Sequence, residues 1–271
     1  MRRLLILLVV LALPVSACSK SETDDSAHRV SPPASLSAAE PDYSAWNRLL
    51  ATYYDPARGM DYAGLKARDS AALRDLRNAL GRVDATRLTP KPQLAYWINL
   101  YNVSVVGVVV DHYPVESVLD VSSNRLIRHD VFKRPWVSVP SGRISLNDIE
   151  NEKIRAVFKD PRIHFAINCA AKSCPPIRSE AYVGARIDAQ LDDKVRRFAA
   201  GPGVRVEKRG ARIVVYTSEI MKWFRDDFEK WGGGEEAFLR RHLPREKAAQ
   251  LAPSIALRYD DYDWTLNDWR R

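Results

Sequence analysis

The chain has 271 residues, with 42 Lys and Arg against 34 Asp and Glu for a formal charge of +8. That length admits one large domain with a substantial core. No stretch recurs at a fixed period, which excludes a solenoid or propeller array.

Arg2 and Arg3 precede an apolar run from Leu4 to Leu13, too short to span a bilayer as a permanent helix, so residues 1–17 read as a secretory signal peptide. The run ends in Val15-Ser16-Ala17-Cys18, which resembles the lipobox of bacterial lipoproteins. The resemblance implies a lipid anchor on Cys18, and several acyl chains hold far better than the single chain that binds only marginally. By the same sorting rule, Ser19 favours the outer membrane, with the protein facing the periplasm. Residues 18–40 are rich in Ser, Ala, Asp, Glu and Pro and bury too little to order themselves, so they read as a flexible tether to a globular domain over 41–271. Loss of Arg2 and Arg3 with the signal leaves +6, a basic globule at an anionic envelope. Nucleic acid is not an expected partner there. The charge reads either as a solvated face or as a patch for lipid headgroups or cell-wall polymer.

In chain order, residues 43–54 carry Trp46, Leu49, Leu50 and Tyr53 at helical spacing, and residues 70–80 repeat the pattern with Leu73, Leu76 and Leu80. Residues 89–112 are more apolar, opened by Pro90 and Pro92 and closed by Tyr113-Pro114, and predict a central helix packed on several sides. Ser145 with Asp148 three positions on predicts a capped helix start, with Ile149, Ile154 and Val157 facing inward. Residues 162–168 alternate, Ile163, Phe165 and Ile167 against His164, Ala166 and Asn168, and predict a core strand with one polar face. Residues 204–207 and 212–216 around Lys208-Arg209-Gly210 predict a β-hairpin. Helices follow at 187–198, 218–230 and 235–242, with a last strand at 255–259. Helices mixed with hairpins, without a strand–helix–strand rhythm, predict an α+β fold: a helix-rich single domain around a small, mainly antiparallel sheet.

Four blocks then stand out in order: Trp97-Ile98-Asn99-Leu100-Tyr101-Asn102, Ser145-Leu-Asn-Asp-Ile-Glu150, the segment from Asp160 to Ile177, and Tyr262-Asp263-Trp264-Thr265-Leu266-Asn267. Together they resemble the domain of unknown function 547 family. The resemblance implies a fold similar to papain-like or transglutaminase-like hydrolases, and it assigns no reaction.

With Cys18 taken by lipid, Cys169 and Cys174 remain as an even pair in an oxidising compartment. Two readings stay open. Four intervening residues could bring the Cα atoms into disulfide range, making a local staple that fixes the turn before Pro175-Pro176. Alternatively Cys174 is a nucleophile with His164 as base and Asn99 or Asn102 as the orienting third group, because a thiolate needs a nearby base and that base needs a fixed tautomer. Against the second reading, His164 precedes Cys174, opposite to the papain order, and Pro175-Pro176 lacks amides for an oxyanion. The pair also lacks the Cys-x-x-Cys spacing of thiol redox exchange.

Asn99 and Asn102 are three apart on one helix face, where backbone groups of neighbouring loops are the favoured partners of buried amides. Tyr262-Asp263-Trp264 is expected to pin the C-terminus to the core, and Arg162 to pair with an acid such as Glu150. His112 beside Asp111 and His129 beside Asp130 show no ligand spacing, so no metal and no cofactor is expected. The sequence thus points to a thiol hydrolase or acyl-transferase acting on a peptide or cell-wall amide, with a non-enzymatic envelope binding or scaffold protein as the alternative.

Overall fold

The computed structural model describes residues 38–121 and 128–270; the signal peptide, Cys18, most of the tether and the His129 side chain lie outside the described residues. The fold is α+β, and its centre is helix α3. Helices α1 (Ser44–Tyr53) and α2 (Tyr62–Gly81) pack beside α3 (Pro90–His112), which buries almost every side chain from Leu94 to Val110. Each buried Val, Leu or Ile there contributes roughly 1.5–3 kcal/mol. By length and composition α3 could cross a membrane, but the relevant window is 94% buried inside the protein, as a core helix requires. Helix α2 starts earlier than its leucines indicate, at Tyr62 behind the N-cap Asp61, and kinks at Asp69, whose carboxylate accepts from the Tyr53 hydroxyl at 2.5 Å.

Helix α4 covers residues 146–158. Ser145 and Asp148 form the capping box, each side chain meeting the other's backbone N–H, and this reciprocal pair contributes about 1 kcal/mol. After one α-turn the segment Ile149–Arg155 widens into a π-helix, a rare form that concentrates at functional sites.

The principal sheet is built from β5 (Val204–Arg209), β6 (Arg212–Ser218) and β7 (Ala256–Asp260), with two small hairpins elsewhere: β1 (Tyr54–Asp55) with β2 (Gly59–Met60), and β3 (Val137–Val139) with β4 (Gly142–Ile144). The predicted hairpin is β5–β6, paired antiparallel, but β7 joins β6 in parallel, so this sheet is mixed. Helix α5 (Ile187–Ala200) packs near it, followed by α6 (Glu219–Trp223), α7 (Arg225–Gly232) and α8 (Gly234–His242). The single helix expected at 218–230 is two, broken at Phe224, where φ −110 and ψ 25 leave the helical region.

The strand expected at 162–168 does not form. Pro161–Phe165 is a 3-10 helix capped by Asp160, and its apolar residues serve two different cores. Ile163 packs with α1–α4, whereas Phe165 packs with Val195, Val204, Val215, Phe228 and Phe238 in a second core under the sheet. A 3-10 turn sends adjacent side chains about 120° apart, so one short element feeds both cores. His164 is thereby left between them. Arg162 pairs with Asp160, Asp188 and Asp192 and not with Glu150, because the turn aims it towards α5.

The C-terminal segment laces across these parts. Lys172 and Ser173 donate backbone N–H groups to Thr265 and Asp263, Asn267 N–H donates to Ala170, and Met60 N–H donates to Asn267.

Candidate active site

A cleft with a cavity of about 150 Å³ opens where α4, the 3-10 turn, the Cys169–Cys174 loop, α6 and the C-terminal segment meet. Helix α3 contributes Tyr101 to its wall and α4 contributes Asn147 and Glu150. His164, Cys169, Cys174 and Tyr262 also line it.

His164 is 2% exposed. Its ring stacks on Phe224, with centroids 3.8 Å apart and planes 14° apart. Nε2–H donates to the Asp227 carboxylate at 2.8 Å, while Nδ1 is buried and has no hydrogen-bond partner. Burial lowers the imidazole pKa despite the opposing pull of Asp227, so the ring is neutral near pH 7 with its free lone pair on Nδ1. Burial alone would raise the Asp227 pKa, but the hydrogen bonds from His164 and Arg155 outweigh it and hold that carboxyl well below the usual range. Arg155, one π-helical turn beyond Glu150, grips Asp227 with two bonds of 2.7 and 3.1 Å. The result is an imidazole whose tautomer is fixed by a paired carboxylate and whose ring plane is held by the Phe224 stack.

Cys169 and Cys174 stand at disulfide distance, with Cα atoms 6.3 Å apart. The Cys169 N–H donates to Cys174 Sγ at 3.0 Å, and the Tyr262 hydroxyl lies 3.0 Å from Cys174 Sγ and 3.3 Å from Cys169 Sγ. Ala170 between them has φ 66, a left-handed conformation that costs a non-glycine residue about 1 kcal/mol. The loop is held in place by the backbone bonds to residues 263–267, so the strained turn is imposed by tertiary contacts. Cys174 also borders a second, larger groove of about 880 Å³ that runs past Pro175, Pro176, Arg178 and Lys194, with Tyr262 forming part of both walls.

Glu150 differs from every other acid at the site. Loss of water around its carboxyl pushes the pKa up to about 7, with Arg155 pulling it down and Asp227 pushing it further up. Among the described residues no hydrogen bond to Glu150 opposes this shift. Trp223, Tyr262 and Trp264 line the same cleft as an aromatic cluster, with centroids 4.7 Å apart for each Trp–Tyr pair, and Trp223 remains 43% exposed.

Asn99 and Asn102 stand elsewhere. Asn99 exchanges two hydrogen bonds with the backbone of Tyr182, at 2.7 and 3.0 Å. Asn102 donates to the Ala166 carbonyl and accepts from Asn168 N–H, at 3.0 and 2.9 Å. Asn102 braces the stretch between His164 and Cys169, Asn99 braces the segment around Tyr182, and the partner of the imidazole is Asp227. Asp227 carried no motif in the sequence, and Glu150 stood in the Ser145–Glu150 block only as an expected partner of Arg162; a helical acid is an ordinary surface residue until its neighbours are known. His112 is tied through Nδ1–H to the Val108 carbonyl. Among the described residues no three His, Cys, Asp or Glu side chains converge to hold a metal ion.

The segment that builds most of this cleft is also the segment with a known signature. Residues 85–199 match the family model described as Protein of unknown function, DUF547. Over that stretch the chain is similar to this family. The DUF547 segment contains α3, α4, His164 and both cysteines, whereas Asp227, Trp223, Tyr262 and Trp264 come from beyond it. No curated protein and no solved structure matches the chain.

Proposed function

We propose that this protein is a thiol hydrolase or acyl-transferase acting on amide bonds, with Cys174 as nucleophile, His164 as base through Nδ1 and Asp227 as the group that orients the imidazole. One observation carries the reading: the cleft lined by Cys174 is also lined by a buried, neutral histidine whose Nδ1 has no partner. In the active form a dithiol reductant converts the Cys169–Cys174 pair to two thiols, supplying two electrons and two protons. His164 then takes the Cys174 proton, the thiolate adds to the substrate carbonyl carbon, and His164 returns the proton to the departing amine. Water or a second amine releases the acyl group from the resulting thioester. In this reading the chain is anchored by lipid on Cys18 at the bacterial outer membrane, faces the periplasm, and works on peptide or cell-wall amides.

A second reading is favoured by the sulfur itself. Cys174 is 7% exposed and its Sγ is approached by Cys169 N–H and the Tyr262 hydroxyl, as suits a structural disulfide in an envelope binding or scaffold protein. Reduction followed by an electrophilic thiol probe and peptide mapping separates the two. The thiol enzyme labels faster at Cys174 than at Cys169, and His164→Ala slows Cys174 labelling by about a hundredfold. Equal labelling of both cysteines, unchanged by His164→Ala in a protein that retains its circular dichroism spectrum, retires the thiol reading and leaves the scaffold.

A further inference from the structure

Nδ1 of His164 and the carboxylate of Glu150 both belong to the cleft lining and find no hydrogen-bonding partner among the described residues. Glu150 is the second residue of the π-helix and lines the cleft as an acid that makes no hydrogen bond or ion pair among the described residues. The neighbouring Arg155 is not available to it, being held by Asp227 in a two-bond pair and by the Asn151 amide oxygen at 2.5 Å. His164 is neutral, so Glu150 is the one formally charged group lining the cleft among the described residues.

The other walls are suited to a cation. Trp223 and Trp264 stack at 5.9 Å with the Tyr262 ring 4.7 Å from each, and Phe224 and Tyr101 add to the aromatic lining. Aromatic faces attract a cation through the negative potential of the ring, an interaction strengthened where water is excluded. They offer nothing comparable to an anion. Ile167 and Ile220 complete the lining with surface that an alkyl chain can cover. A cavity of about 150 Å³ holds about six heavy atoms, the size of benzene and of the end of a lysine side chain.

We propose that the cleft binds a primary alkylammonium group, such as the side chain of a lysine in a peptide, with Glu150 as its counter-ion and Trp223, Tyr262 and Trp264 as its aromatic rim. The inference names the ligand class of the site assigned above to acyl transfer and so builds on that reading, but recognition of the amine requires no thiol. A partly desolvated carboxyl without a partner among the described residues then has a purpose, since the incoming ammonium supplies one. Binding at neutral pH displaces the proton that Glu150 carries for part of the time.

The test uses N-acetyl-lysine methylamide and its norleucine counterpart, of similar size and lacking the amine, titrated at pH 8 against the full domain while tryptophan fluorescence is followed. The lysine probe should bind at least about tenfold more tightly than the norleucine probe. Glu150→Gln should abolish that preference, and Trp223→Ala should weaken it without unfolding the protein. A double Cys169→Ser, Cys174→Ser variant should keep it, so that failure of thiol labelling and failure of amine recognition are read separately. Equal binding of the two probes, no saturable binding of either, or a preference that survives Glu150→Gln overturns the proposal. Tighter binding of norleucine than lysine also overturns it, marking Glu150 as a neutral hydrogen-bond donor.

Discussion

His164 donates from Nε2 to the carboxylate of Asp227 across 2.8 Å, although the two residues lie 63 positions apart. The bond joins the 3-10 turn to helix α7, and Arg155 from the π-helix closes on the same carboxylate. Three segments are thereby locked around one acid. Asp227→Ala leaves the Arg155 guanidinium and the His164 N–H without an acceptor in a partly dry site, and is expected to cost on the order of 3 kcal/mol. Asp227→Asn keeps one acceptor oxygen and should cost less. Denaturant unfolding of both variants measures this; equal losses would mean that the charge of Asp227 is not what holds the three segments.

The stability of the protein should carry the mark of Glu150. Its ordinary pKa of 4.5 is raised to about 7 in the folded protein by loss of water, with Arg155 and Asp227 as the facing charges. The folded state therefore binds more protons than the unfolded state between those values, and stability falls as pH rises through that window. The cost is complete above about pH 7 and absent below about 4.5. Glu150→Gln should thus be more stable than the parent at pH 8 by on the order of 2 kcal/mol, and nearly equal to it at pH 4.5. An offset of the same size at both pH values would remove the carboxyl as its source. Gain of stability together with loss of amine binding is the signature of a residue kept for its chemistry.

Lys194 gives a slope of the opposite sign. It is 5% exposed in α5, donates from Nζ to the Pro176 carbonyl, and loses enough water to lower its pKa from 10.5 to about 7. Between those values the unfolded state binds more protons, so stability rises with pH there and the burial cost is largest below about pH 7. Lys194→Met should flatten this dependence and raise stability near pH 7 by about 2 kcal/mol, less about 1 kcal/mol for the orphaned Pro176 carbonyl. Thermal melts between pH 7 and 10 decide it: an unchanged slope assigns the pH dependence to another group.

Gly59 is set by a distant segment. Its φ is +98°, and a Cβ placed there would lie 2.1 Å from the Asn267 carbonyl oxygen, which also accepts the Met60 N–H. Gly59→Ala combines a strained backbone with a collision against the C-terminal segment, and should destabilise by more than about 2 kcal/mol. Faster proteolysis after residue 260 should accompany the loss, because the displaced segment is the one that laces the Cys169–Cys174 loop. A variant with parental melting temperature and parental cleavage would show that residues 263–268 are not held through this contact.

The helices of the first core were legible because their information is local. Leu73, Leu76 and Leu80, the apolar run in α3, and Ser145 with Asp148 each state a face or an end within a few residues, and the β5–β6 hairpin is marked by its own turn. The four blocks of family resemblance and the proximity of Cys169 to Cys174 are likewise readable along the chain.

Residues 162–168 show where local reading ends. Alternation there suits a strand, but Ile163 and Phe165 are apolar because each fills a different core, and the turn between them exists only once both cores have formed. The cleft depends on the same kind of convergence. His164 meets Asp227, Cys174 meets Tyr262 over 88 positions, and Glu150 acquires its character from the water that surrounding segments exclude. Residue order along the chain established which groups were chemically capable. Which of them share a cavity, and in what state of protonation, followed from long-range packing, because desolvation and hydrogen-bond geometry are properties of neighbours that no single segment contains.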